Sequence, residues 1–177
     1  LVFQILTKRP GRINGRGFAY QDEDGYRWQT WPRNVWIGTS VESKKYLPRL
    51  DVLKRVPAKV KFLSLEPLLE QVDIGLWLSS LGWVIVGGES GPKARPMQLD
   101  WVRLIRDQCQ AAGVPFFLKQ WGEWIPESQM AVRWPEFELR EGQQASFWSD
   151  KTCSYRVGKR SAGALLDGRE WREMPDA

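Results

Sequence analysis

The feature that most constrains the fold is a series of five short apolar runs: Leu1 to Leu6, Val35 to Val41, Val60 to Leu65, Trp83 to Val86 and Pro115 to Leu118. Each is β-branched or aromatic in part and is bounded by turn residues, the signature of a strand. Their apolar character is continuous and does not alternate, as in strands covered on both faces of a parallel sheet. The intervals between them have room for a loop, a helix and a second loop. Pattern and spacing together predict an α/β fold of repeated strand and helix units.

The clearest helix lies between the fourth and fifth strands. Asp100 can cap its start and Gly113 its end, and Trp101, Ile105, Cys109 and Ala112 share a face. Cys109 is thereby a packing residue. A second helix is predicted over Pro48 to Val56, with Leu50, Leu53 and Val56 inward and Pro48 in the first turn, where a missing N–H costs little. A further helical piece is expected around Asp73 to Ser80. Phe18 to Gln21 and Tyr26 to Gln29 flank Asp24-Gly25, which suggests a hairpin inserted between the first two strands. Beyond Trp121 the pattern changes to scattered aromatics and a Glu141-Gly142 turn without helical period, a β-rich extension. Val157 to Arg169 reads as a short helix ended by the Asp167-Gly168 turn. The expected division is residues 1–121 for the sheet and 122–177 for the extension. Gly158-Lys159-Arg160-Ser161 resembles part of a phosphate loop, but the leading glycine and preceding strand are missing, and that match is rejected.

Composition narrows the function. With 177 residues and 42% hydrophobic content the chain can bury one real core. No apolar run approaches the roughly 20 residues that cross a bilayer, so no membrane partner is expected. No signal-like stretch opens the sequence, which makes the cytoplasm the default. Leu1 stands inside an apparently buried strand with no cap or polar leader, so a truncated piece of a longer protein is expected. The absence of histidine removes His-based triads and His-ligated metals, and two cysteines, Cys109 and Cys153, form no disulfide framework or paired metal motif. A net charge of +5 permits an anionic partner without requiring one. Eleven tryptophans could stack on bases, but most flank strands or turns and are read as packing.

In parallel α/β folds, ligands bind beyond the carboxyl ends of the strands. Those ends are Thr7-Lys8-Arg9-Pro10, Thr39-Ser40-Val41-Glu42, Ser64-Leu65-Glu66-Pro67, Gly87-Gly88-Glu89-Ser90-Gly91 and Lys119-Gln120-Trp121. Three successive strands finish with a glutamate, and the flanking two carry a lysine. Glu42, Glu66 and Glu89 brought together would repel unless cations compensate, and Lys8, Arg9 and Lys119 are placed to do so. The predicted rim binds substrate through Lys8, Arg9, Glu42, Glu66, Lys119 and Gln120. An internal ion-pair network is the bland alternative. Gly87 and Gly88 directly after a strand would let a ligand approach the backbone closely, or form a tight turn. Lys93 and Arg95 just beyond could contact an anion or be solvated.

These same segments, with Asn34 to Glu42, Phe62 to Leu69, Trp83 to Gly91, Lys119 to Gly122 and Val157 to Arg169, resemble a bacteriophage and prophage family named after phage gene products thirty-seven and sixty-eight, a domain of unknown function. Its members resemble radical S-adenosylmethionine proteins. The resemblance implies a partial (β/α) barrel of about five parallel strands, here its C-terminal portion plus the β-rich extension. It implies S-adenosylmethionine and a [4Fe–4S] cluster for the full-length protein. The three-cysteine motif that holds such a cluster is missing from this sequence, so no cofactor and no activity are expected of the fragment alone. Gly87, Gly88, Glu89 and Ser90 would contact the nucleoside of the cofactor.

Two other functions compete. A nucleic-acid-binding protein is suggested by Arg133, Trp134, Arg140, Trp148 and Arg156 in the extension, although Glu136, Glu138, Glu141 and Asp150 are interspersed. A hydrolase holding magnesium or manganese on the three glutamates suits the oxygen preference of those ions but lacks the usual aspartates and histidines. The substrate is thus an unidentified small molecule or nucleic acid. An incomplete barrel exposes sheet edges, through which a homodimer could form.

Overall fold

The computed structural model describes residues 1–13, 18–22, 25–29, 31–130, 144–148 and 152–176, with 18–22 and 25–29 described for their backbone. In chain order the elements are β1 (Phe3–Thr7), β2 (Phe18–Asp22), β3 (Gly25–Gln29), β4 (Val35–Ser40), α1 (Pro48–Leu53), β5 (Lys61–Leu65), β6 (Trp83–Gly87), α2 (Leu99–Ala112) and β7 (Phe116–Gln120). There follow β8 (Trp124–Pro126), β9 (Ala145–Phe147), β10 (Cys153–Arg156), α3 (Lys159–Ala162), β11 (Leu165–Leu166) and β12 (Arg169–Glu170).

Strands β1, β4, β5, β6 and β7 form one all-parallel sheet in that order. Because spatial order equals chain order, every crossover steps to the adjacent position. Side chains alternate across such a sheet. One face carries Ile37, Leu63, Leu65, Val84, Val86, Phe116 and Leu118, and it packs against Leu50 and Leu53 of α1 and Val102, Ile105 and Cys109 of α2. The opposite face holds a separate cluster of Trp36, Val60, Phe62 and Trp83, with Ile85 and Phe117 at its margin. Trp83 is its hub, with Trp36, Phe62 and Phe117 rings at 6.1, 5.9 and 5.7 Å. Gly38 sits under the Phe62 ring, where an added Cβ would lie 2.2 Å from it.

The expected barrel is not closed: the sheet is open, with β1 and β7 at its edges. The first strand is also less buried than its sequence suggests. Phe3 is 52% and Leu6 50% exposed, because β1 pairs only with β4 and no described helix packs on it. The other edge is covered. Leu118 N–H donates to Trp171 O at 3.0 Å, Glu173 N–H to Phe116 O at 3.2 Å, and Phe117 bridges Arg172, so the segment 171–173 runs antiparallel along β7.

The predicted helices form with adjusted ends. The one between the fourth and fifth strands starts at Leu99 with Gln98 ahead of it, so Asp100 lies in the first turn and does not cap. Gly113 ends it in the left-handed conformation, φ 66°, as expected. Its buried residues are Leu99, Val102, Ile105 and Cys109, a face rotated away from Trp101 and Ala112. Leu50, Leu53 and Val56 are buried, although the helix that starts at Pro48 stops at Leu53. Asp73 to Ser80 contains a 3-10 segment, Gly75–Ser80.

β2 and β3 pair antiparallel as the inserted hairpin, while Asp24 lies outside the described residues. In the extension β8, β10 and β9 make a small antiparallel sheet; the Glu141-Gly142 turn falls outside the described residues. Asp167-Gly168 does not end a helix. It is the turn of the β11–β12 hairpin, with φ of 53° and 79°, the positive pair that a tight hairpin requires. Among the described residues no helix is long and apolar enough to cross a membrane.

Candidate functional site

The carboxyl ends of the parallel strands meet on one rim. Thr7 and Thr39 stand level in register, and Thr39 Oγ1 donates to Thr7 O at 2.8 Å. The next loops are knitted together by Leu69 N–H to Glu42 O and Leu68 N–H to Gly87 O, each 3.0 Å. Gly88 N–H then donates to Gln120 O at 2.9 Å. Backbone bonds of this kind hold the rim without help from a ligand.

The three glutamates do not share one site. Each ends in its own ion pair. Glu42 is buried between Lys8 Nζ at 2.6 Å and Arg49 Nη1 at 3.0 Å, and Arg49 also donates to Ser40 O at 2.6 Å while its guanidinium lies 4.0 Å over the Tyr46 ring. Burial pushes the Glu42 carboxyl up, but the Lys8 and Arg49 cations outweigh it and hold the group below the usual carboxylate range. Glu66 takes Lys119 Nζ at 3.3 Å and the Ser64 hydroxyl at 3.3 Å. Glu89 is clamped by Arg95 through Nε at 2.8 Å, Nη2 at 2.7 Å and the backbone N–H at 2.8 Å. That fork holds its carboxyl below the usual range.

Of the predicted cations, Lys8 and Lys119 do compensate glutamates, whereas Arg9 makes no ion pair with a described residue. Its backbone N–H donates to Thr7 Oγ1. Gln120 reaches Ser90 Oγ at 3.5 Å. Sequence reasoning missed Arg49, the second residue of α1, and left Arg95 open; only the fold shows that they pair with Glu42 and Glu89.

The glycine loop is explained by packing. A Cβ on Gly87 would lie 2.5 Å from Glu66 Oε1, one on Gly88 1.9 Å from Trp121 O, and one on Gly122 2.2 Å from Glu89 O. Protein atoms fill the space that paired glycines leave open. Gly91 N–H donates to Glu123 Oε1 at 3.2 Å, and Glu123 N–H to Glu89 O at 3.0 Å, tying the loop to the strand that follows.

No described residue set fits an iron–sulfur cluster or a metal ion. Cys109 is fully buried in α2, where burial pushes its thiol up to about 12. Cys153 is buried in β10 and donates to Glu127 Oε2 at 3.0 Å. Among the described residues no group of three or more acids or thiols gathers to hold an ion. In the extension, Arg133, Trp134 and Arg140 lie outside the described residues. Trp148 stands edge-on to Trp101 at 5.4 Å, and Arg156 donates to Gln144 Oε1 and Gly91 O at 2.9 Å. Both are thus engaged in holding the extension.

A five-stranded parallel sheet with charged pairs along its carboxyl rim defines a mixed α/β protein. The chain belongs to the family described as Protein of unknown function (DUF5131), whose model matches residues 1–175. No curated protein and no solved structure gives a match.

Proposed function

We propose that this chain is the substrate-binding wall of a (β/α)-barrel enzyme of the radical S-adenosylmethionine type. Glu66, Ser64 and Lys119 stand at the centre of its mouth, with Lys8, Glu42 and Gln120 around them. The observation that supports this is the sequential order β1, β4, β5, β6, β7 with both packed helices on one face, the arrangement of a barrel wall, and ion pairs at the strand ends. The long contacts within the Glu66 pair, 3.3 Å and more, leave both groups able to turn to a ligand. The carboxylate would accept from a hydroxyl or amine, and the ammonium would bind a carboxylate or phosphate.

The iron–sulfur cluster has no ligand set in this sequence, whose two cysteines, Cys109 and Cys153, fall short of a three-cysteine motif. Nor do Gly87 and Gly88 offer open backbone for the adenosine, since Glu66 and Trp121 occupy that space. Glu89 is committed to Arg95, which leaves Ser90, held only by the long 3.5 Å contact from Gln120, as the side chain of that loop to face a nucleoside.

Anaerobic expression of the complete gene product, followed by iron and sulfide determination, tests the proposal. Cluster-level iron with a spectrum altered by S-adenosylmethionine is the expected result. Iron-free protein that does not bind S-adenosylmethionine would refute it.

A further inference from the structure

Where β7 ends, a cleft of about 460 Å³ opens between that strand, α3 and β12, lined by Lys119, Gln120, Lys159, Arg160, Gly163, Ala164, Glu170 and Arg172. Four cations face one carboxylate. The cleft is the size of a small-molecule site. It is built from segments distant in sequence, and the fold fixes them together: Trp121 N–H donates to Gly163 O at 3.0 Å, and its indole donates to Leu165 O at 2.7 Å.

The cations differ in how they are held. Arg172 is pinned, donating through Nη1 to Leu118 O at 2.8 Å and Lys119 O at 3.3 Å, with its guanidinium 4.9 Å over the Phe117 ring. Glu170 reaches it only at 3.8 Å, so much of the guanidinium fork stays unspent. Lys119 leans on Glu66 without a close bond. Lys159 and Arg160 are exposed and form no ion pair with a described residue. Like charges gathered around one cleft repel, and a multivalent anion seated among them removes that cost.

We propose that this cleft binds the phosphate group of a small phosphorylated molecule. Arg172 supplies the preorganised planar donor, Lys159 and Arg160 close over the anion from α3, and Lys119 joins it to the strand-end rim. The volume is that of a small-molecule site, and Lys119, Lys159, Arg160 and Arg172 gather from three separate segments around that one space. The helix terminus takes no part, as α3 has only four residues. The assignment stands whether or not the chain belongs to a radical enzyme.

The test is calorimetric titration of the chain with inorganic pyrophosphate at low and physiological salt. The double variant Lys159→Ala with Arg160→Ala is compared with Lys54→Ala with Arg55→Ala, an exposed pair elsewhere. The expected result is binding that weakens about tenfold or more in the first double variant and changes less than about twofold in the second. No binding by the wild type, or equal loss in both variants, would overturn the proposal. A parallel titration with single-stranded oligonucleotides of rising length distinguishes the polymer: affinity that grows with length and ignores a terminal phosphate would also overturn it.

Discussion

Asp167 ties the β11–β12 hairpin to the main helix, and its removal has a calculable effect. The carboxylate receives Arg103 Nη2 and Arg106 Nη1, each at 2.6 Å, and Gln129 Nε2 at 3.3 Å. The hydrogen-bonded Arg103, with Arg106, lowers its pKa from the ordinary 3.8 to about 2. At about 1.4 kcal/mol per pH unit that drop corresponds to at most about 2.5 kcal/mol. The side chain is 34% exposed, and solvent screening reduces this to about 1 kcal/mol. A folded-state pKa below the unfolded one stabilises above the unfolded value, and the contribution fades as pH falls from about 4 toward 2. Asp167→Asn keeps the turn, since asparagine tolerates the positive φ, while removing the charge. Urea unfolding should therefore show a loss of about 1 kcal/mol near pH 7 and about half of that near pH 3. An equal loss at both pH values, or none at neutrality, would refute the ion-pair account.

Two further outcomes follow from the backbone. Gly88→Ala places a Cβ against Trp121 O, a backbone atom with no rotamer to escape into, and should cost about 2–4 kcal/mol in chemical denaturation. Gly91→Ala, with open space but φ of 105°, should cost only about 1–2 kcal/mol; equal melting of the two would count against the loop packing. The β1 edge, which has no second strand beside it among the described residues and leaves Phe3, Ile5 and Leu6 exposed, should make the chain associate, so light scattering across a dilution series should show mass falling toward the monomer. A monomer at every concentration would exclude it.

The sheet was legible because its strands are apolar through their length and its helices carry their own stop signals, such as Gly113. Closure was not legible, since the same runs serve an open sheet or a barrel. Burial of β1 was misread for a related reason: Leu1 to Leu6 has the composition of an interior strand, and only the absence of a second described neighbour reveals an edge. At the rim the residue types were readable and their partners were not. Lys8 with Glu42 and Lys119 with Glu66 join different strands, and Arg49 reaches back from α1, pairings that depend on register and not on spacing. The glycines illustrate the same limit, as close approach was foreseen but the approaching group is Trp121. The basic cleft draws Lys159 and Arg160 to Arg172 and Lys119, and no local motif announces such a convergence.

The segment 171–173 laid along β7 gives the sheet a direction of growth. A sheet with two open margins can add copies without limit and become a fibre. Here the margin at β7 is already sealed by the chain itself, so among the described residues only the β1 margin is left for strand addition. If two copies met at β1 about a twofold axis, neither would offer another free margin among its described residues, and the assembly would end as a pair.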